Sequence, residues 1–177
     1  MARIVSLLLI VNVLAVIVSC QATSDGWVSY ETEKGRYKVR LPAEPTLSKQ
    51  TVNDPDGDPQ EQFLAAVNEG ATRFVVGYYD KPIDKRFSLK KAVEGIVKRL
   101  DGSLLFDDER RSNGISLRNF NIEAAPKGLN ILLQGRFVIT ESRIYLLQMI
   151  IPKADRGPGS ESKASIFFES FSVISTR

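Results

Sequence analysis

The sequence predicts an α+β fold: a largely antiparallel β-sheet flanked by two main helices, within one domain over residues 27–177. Three observations carry this. Period-two alternation recurs in short runs, as in Tyr37, Val39 and Leu41 against Arg36, Lys38 and Arg40. Two later segments space their apolar residues at helical intervals, one from Leu89 and one through Ala164. Most consecutive strand runs are joined by short turns, which suits antiparallel neighbours, and helices with an apolar stripe need a sheet face to cover.

The chain opens with Met1-Ala2-Arg3 and an apolar run from Ile4 to Val18. A membrane-crossing helix needs roughly 20 apolar residues, so this run is short for a permanent span. It fits the apolar region of a secretory signal peptide. It ends in Ile17-Val18-Ser19-Cys20, which holds the only cysteine of the chain and is similar to a bacterial lipobox. The similarity implies a lipoprotein-type leader over residues 1–19, acyl chains such as palmitate on Cys20, and a short polar tether over residues 20–26. Each buried CH₂ of an acyl chain is worth about 0.8 kcal/mol, and two or more chains hold a protein stably at a membrane. Gln21 stands where an inner-membrane retention signal has Asp, so an outer-membrane address stays open. The alternative is an ordinary leader cut near Ala22, which releases a secreted or periplasmic protein.

Trp27 to Tyr30 reads as a first short strand, and Arg36 to Leu41 as a second with one buried side, stopped by Pro42 and Pro45. Leu47 to Val52 forms a third. The run Asp54-Pro55-Asp56-Gly57-Asp58-Pro59 is a turn. Glu61 to Val67 and Arg73 to Tyr79 form a hairpin about Asn68-Glu69-Gly70, and the second of them is apolar on both faces, which places it centrally.

The first helix carries Leu89, Ala92, Val93, Ile96, Val97 and Leu100 on one face, with Ser88 as its N-cap and Gly102 ending it. Gly95 inside it costs about 1 kcal/mol against alanine and suggests close packing on a strand. Ser103 to Asp107 is a strand running into a charged hairpin tip, Asp107 to Arg111. Ile115 to Ile122 follows, with a phase change between Leu117 and Phe120 that predicts a bulge. After the turn at Pro126-Lys127-Gly128 come strands over Ile131 to Ile139 and Ile144 to Ile151. The last helix runs from Ser160 to about Phe171, burying Ala164, Phe167, Phe168 and Phe171, and a short tail closes the chain.

Composition excludes several chemistries. At 43% hydrophobic and 25% charged residues the chain is globular in character. A net charge of +3, with acids and bases mixed, leaves no nucleic-acid footprint. There are 0 histidines, which removes imidazole acid–base catalysis and imidazole metal sites. A single cysteine allows neither an internal disulfide nor a thiolate cluster. No motif calls for a cofactor.

Trp27-Val28-Ser29-Tyr30, Gly35-Arg36-Tyr37-Lys38-Val39 and Leu41-Pro42-x-x-Pro45 resemble the opening of PsbP-like domains, in which an aromatic strand leads into a G-[RF]-[YF]-x-[VI]-x-[LY]-P hairpin. The resemblance continues through Arg143, Tyr145 and Leu147 to Phe168-Glu169-Ser170-Phe171, and so spans most of residues 27–173. It implies an antiparallel sheet flanked by helices. It also implies, by analogy of fold alone, a non-enzymatic accessory or assembly role. Within these motifs Tyr37, Val39 and Tyr145 read as core.

Ser88-Leu89-Lys90-Lys91 and Ser160-Glu161-Ser162-Lys163 match S-x-x-K, which in penicillin-recognising enzymes sets a serine nucleophile one helical turn from a lysine. Both fall at predicted helix starts, where a capping serine is expected anyway, and S-D-N and K-T-G are missing, so no catalytic residue is assigned. Asp54, Asp56 and Asp58 are weak metal candidates. A calcium loop of EF-hand type needs Glu at its twelfth position, which here is Ala65, and a solvated turn is the preferred reading. Arg36, Lys38 and Arg40 would stand about 7 Å apart on one strand face and form a candidate face for an anionic partner, against the plainer reading of a wet strand face.

These readings combine into an exported, lipid-anchored envelope protein, bound to the membrane through Cys20, that acts as a non-catalytic binding or assembly module for a partner protein. The alternative is a periplasmic module holding a small ligand or metal in a sheet–helix cleft. An enzyme using carboxylates or a Ser/Lys pair ranks last.

Overall fold

The computed structural model describes residues 20–22, 26–54, 56–81 and 87–174. The expected leader over residues 1–19 lies outside them. In chain order the elements are β1 (Cys20–Ala22), β2 (Val28–Thr32), β3 (Tyr37–Leu41), β4 (Thr46–Asn53), β5 (Pro59–Glu69), β6 (Thr72–Asp80), α1 (Leu89–Leu100), β7 (Ser103–Ser112), β8 (Ile115–Ala124), β9 (Ile131–Ile139), β10 (Arg143–Pro152), α2 (Pro158–Glu169) and β11 (Ser172–Val173). The fold is α+β, as the sequence predicts.

A seven-stranded sheet in the order β4-β5-β6-β10-β9-β8-β7 forms the middle layer, and every pair of neighbours within it is antiparallel. A four-stranded sheet, β1-β2-β3-β11, and α2 cover one face of it. Between these layers Tyr37, Val39 and Leu41 meet Phe74, Val76, Tyr145, Leu147 and Phe167, all essentially free of solvent. Helix α1 covers part of the opposite face, setting Leu89, Val93 and Ile96 against Phe120, Ile122, Phe137 and Ile144. β6 and β10 lie at the centre, where Phe74, Val76, Tyr145 and Leu147 pack toward the small sheet and α2, and Tyr79 and Ile144 pack toward α1.

Two short strands are absent from the sequence reading. Cys20–Ala22 pairs with β2, with Cys20 opposite Tyr30, where a free tether is expected. Ser172–Val173 pairs with β3, where an irregular tail is expected. Segments this short carry no period, and only the open edge of a neighbouring strand makes them strands.

The start of α1 agrees with its signal: Ser88 Oγ accepts from Lys91 N at 3.3 Å. Its end does not. The left-handed residue is Asp101, at φ 47°, and Gly102 serves a different need, because a Cβ there would lie 2.7 Å from the Glu123 carbonyl oxygen. Gly95 also departs from expectation: a Cβ on it would meet nothing within 4 Å, so it is not a close-packing site. Helix α2 begins at Pro158, two residues before the expected start. Ser160 lies in its first turn, accepting from Gly157 N at 3.0 Å and donating to Gly157 O at 2.9 Å.

The charged run after Asp107 is strand, not hairpin tip. β7 continues to Ser112, and the turn is confined to Asn113 and Gly114, both at positive φ. The irregular step also moves. It lies in β7 between Leu104 and Phe106, while β8 buries Arg118, Phe120 and Ile122 in unbroken alternation. The apparent phase change comes from treating Arg118 as an outward residue. It points inward because Asp107 and Glu109 of β7 meet it there: Nε donates to Asp107 Oδ1 at 2.6 Å, Nη1 to Glu109 Oε2 at 3.0 Å, and Nη2 to Asp107 Oδ2. The hydrogen bonds to Asp107 raise the guanidinium pKa further, against the opposing effect of burial.

Candidate functional site

Helix α1 is too narrow for the face it covers. It lies over the β8–β9 side and leaves open the concave surface of β5, β6 and β10. A groove of about 820 Å³ results, within the range of about 300–1,000 Å³ usual for ligand sites. Leu64, Val75, Tyr79, Leu146 and Ile150 supply an apolar floor, and Gln62 and Gln148 place amides in it. One wall is β4 from Gln50 to Asn53. The other is α1, through Lys91, Ala92, Gly95, Ile96 and Arg99.

Register explains the shape. Leu64, Gly77 and Leu146 lie side by side across three strands. With no side chain on Gly77, the floor dips there, and Gln62 leans into the space: a Cβ on Gly77 would lie 2.8 Å from Gln62 Nε2. Gln50 Nε2 donates to Gln62 Oε1 at 2.9 Å, which holds that amide in place. Gly95 thins the helical wall, where a Cβ would meet nothing within 4 Å. Gly95 thus widens the groove on the helix side, while Gln62 and Leu64 fill the place of the side chain that Gly77 lacks.

The β4–β5 turn is tied to the helical wall across one end of the groove. Asp56 Oδ1 meets Lys91 Nζ at 3.1 Å. Asp54 Oδ1 accepts from Asp56 N at 3.0 Å and from Asp58 N at 2.9 Å, so this carboxylate organises its own turn. The Asp54 and Asp56 carboxylates therefore serve separate tasks, and among the described residues no group of three or more acidic, His or Cys side chains is placed to hold a metal ion. Tyr79 lies beneath this end, and burial, then the nearby Asp54 charge, push its phenol pKa upward.

Arg73 and Arg99 give the groove its charge. Both line it. Arg73 stands opposite Ile150 at the start of β6, and Arg99 is in the last turn of α1. Among the described residues neither guanidinium has an ion-pair or hydrogen-bond partner. Neither cation stands out in the sequence, because Arg73 opens an apolar strand and Arg99 lies in the last turn of a helix, where a basic residue is common. The visible signals were Gln62 and Gln148, polar residues inside apolar strands, and the two glycines inside regular elements.

The residues singled out from the sequence are placed as follows. Arg36 precedes β3 at φ 52°, and its Nη2 donates to Ser142 Oγ at 3.0 Å, so it does not extend a row with Lys38 and Arg40. Lys38 is exposed, 3.9 Å from Glu31. Arg40 is half-buried, and its backbone N donates to Ser170 Oγ at 2.8 Å. Both serines of the S-x-x-K motifs cap helices, and their lysines meet carboxylates: Lys91 on Asp56, and Lys163 on Glu69 at 2.7 Å. Cys20 is placed by its backbone in β1. Arg143 and Tyr145 hold the turn before β3. Arg143 Nε donates to Asp80 Oδ1 at 2.9 Å with its guanidinium over the Tyr78 ring, and Tyr145 OH donates to Gly35 O at 3.0 Å.

No family model and no curated protein matches the chain. Among solved structures it is similar to PA94 of Pseudomonas aeruginosa, a protein of unknown function, with 9% identity and a TM-score of 0.44, over 78% of this chain and 91% of that one. No described helix is long and apolar enough to cross a membrane.

Proposed function

We propose that the chain is a non-catalytic binding module, exported and fastened to a membrane by lipid on Cys20, and that the groove between α1 and the large sheet is its binding element. The observation that carries the groove reading is an apolar floor open to solvent beside two arginines whose guanidinium groups have no partner among the described residues. Such a site suits a ligand with an apolar body and an acidic group, since an unpaired guanidinium offers fixed donors to a carboxylate or phosphate. The commitment of Ser88 and Ser160 to helix caps favours binding over catalysis. The lipobox-like Ile17-Val18-Ser19-Cys20 supports the anchor, and the resemblance to PsbP-like domains supports an accessory role.

The groove is tested with an anionic apolar fluorophore, anilinonaphthalene sulfonate, titrated into the full chain. Saturable binding is expected, weakened about tenfold in Arg73→Ala with Arg99→Ala, a loss of about 1.4 kcal/mol. Gly95→Phe should abolish it while the thermal midpoint is preserved. Unaltered binding by a folded Gly95→Phe chain would refute the groove. The anchor is tested separately by palmitate labelling of cells, which should mark the wild type and not Cys20→Ala; equal labelling removes the anchor and leaves the groove standing.

A further inference from the structure

We propose that two copies of this chain pair edge to edge through β7, antiparallel, so that their seven-stranded sheets continue into one. This interface is independent of the groove, and the failure of either leaves the other intact. β7 is the terminal strand of the large sheet, and among the described residues no strand pairs with its outer edge. It runs for 10 residues. It begins with three consecutive exposed apolar side chains, Leu104 at 42%, Leu105 at 50% and Phe106 at 48%. A long edge with exposed apolar residues is a template for another strand.

Charges on an edge strand usually block such pairing. Here their order reverses the effect. The run Asp107-Asp108-Glu109-Arg110-Arg111 is acidic in its first part and basic in its last. When the strand is laid antiparallel on its own copy, centred at Glu109, Asp108 faces Arg110 of the second copy and Asp107 faces its Arg111. Opposite charges directly across an antiparallel pair stabilise it, and like charges destabilise it. A parallel, in-register pairing would set each charge against itself and is disfavoured on the same ground. The one like-charge meeting, Glu109 with its own copy, is cushioned: Arg118 and Arg111 each hold that carboxylate at 3.0 Å. Arg110 holds Asp108 at 2.8 Å within the strand, yet a guanidinium has five donors and can serve a second carboxylate.

In this register the apolar trio of one copy runs along the Asn113-Gly114 turn of the other, toward its Ile115, which is itself exposed. The other edge of the sheet lacks this self-complementarity. β4 carries Lys49 as its one charge, and a lone lysine on an edge keeps other strands away.

A charge swap at positions 108 and 110 tests the interface. Both side chains reach solvent and neither belongs to the Arg118 cluster. The full wild-type chain should sediment as a dimer at about 100 µM, the range of a small transient interface. Arg110→Asp alone and Asp108→Arg alone should each weaken the dimer about tenfold or more, which is about 1.4 kcal/mol. An equimolar mixture of the two should restore dimers, because positions 108 and 110 again face each other with opposite signs. Equal thermal midpoints for all chains guard against loss of fold. A wild-type chain that stays monomeric, even one whose β7 captures a different protein, overturns the proposal. Single variants as dimeric as the wild type, or a mixture that does not recover, overturn it equally.

Discussion

The ring of Phe120 occupies the space a side chain on Gly135 would need. The two residues are direct partners across β8 and β9, and a Cβ on Gly135 would lie 2.1 Å from Phe120 Cζ. Phe120 is fully buried and stacks on Phe137 at 5.7 Å, so it has little room to withdraw. Gly135→Ala is therefore expected to destabilise the chain by about 1–3 kcal/mol through overpacking. Urea denaturation measures this. Combining it with Phe120→Leu should recover part of the loss, because the two sites are coupled; strictly additive losses would contradict the shared space.

Gly95 gives the opposite expectation. It sits inside α1, where glycine costs about 1 kcal/mol against alanine, and open groove lies where its Cβ would be. Gly95→Ala should raise stability by up to about 1 kcal/mol, read as a shift of the urea midpoint at constant slope. Destabilisation would mean that the helix packs there after all.

Arg118 holds two carboxylates of the neighbouring strand with its own side chain almost buried. Removing one partner of a fully buried pair costs about 3–5 kcal/mol, and Asp107 and Glu109 keep some solvent contact. Arg118→Leu should accordingly cost about 1–3 kcal/mol. Arg118→Lys should recover only part of it, since an ammonium lacks the planar fork. Thermal unfolding in high salt distinguishes this cluster from the surface pairs, because its contribution should persist where theirs fades.

Alkaline pH should unfold the chain by way of its buried phenols. Burial, reinforced by the neighbouring Tyr30 and Tyr78, raises the Tyr37 pKa, and burial with the Asp54 charge raises that of Tyr79. Tyrosines of the unfolded chain ionise near pH 10. Above that pH the unfolded chain has released protons that the folded chain retains, so the difference in bound protons favours unfolding. Stability is intact below about pH 10 and falls as the pH climbs beyond it. In Tyr79→Phe, denaturation midpoints followed across that range should fall less steeply than in the wild type; identical slopes would show that Tyr79 titrates alike in both states.

Local patterns reveal much of the fold and little of the groove. Ser88 and the stripe from Leu89 to Leu100 specify α1 because the cap and the period are properties of consecutive residues. β9 is legible for the same reason, its apolar run bounded by a turn at each end. Arg118 misleads because its inward orientation depends on carboxylates of another strand, and an arginine in a half-polar segment reads as solvated. Gly95 misleads similarly: a glycine inside a helix announces a missing side chain without saying whether protein or solvent fills the place. Gln148 sits in plain view within an apolar strand, yet its meaning depends on which helix leaves it uncovered.

From the sequence alone follow the α+β class, the antiparallel character of the sheet, the extent of α1 and the apolar faces of the strands, since each rests on alternation or helical spacing along neighbouring positions. Tertiary structure decides the lateral order of the strands, the capture of Cys20–Ala22 and Ser172–Val173 by open strand edges, the inward turn of Arg118, and the part of the large sheet that α1 leaves bare. The reason is that burial is settled between surfaces. Periodicity says that a face must be covered, but the residues that cover it lie far away in the chain, and only packing determines how much of that face they reach.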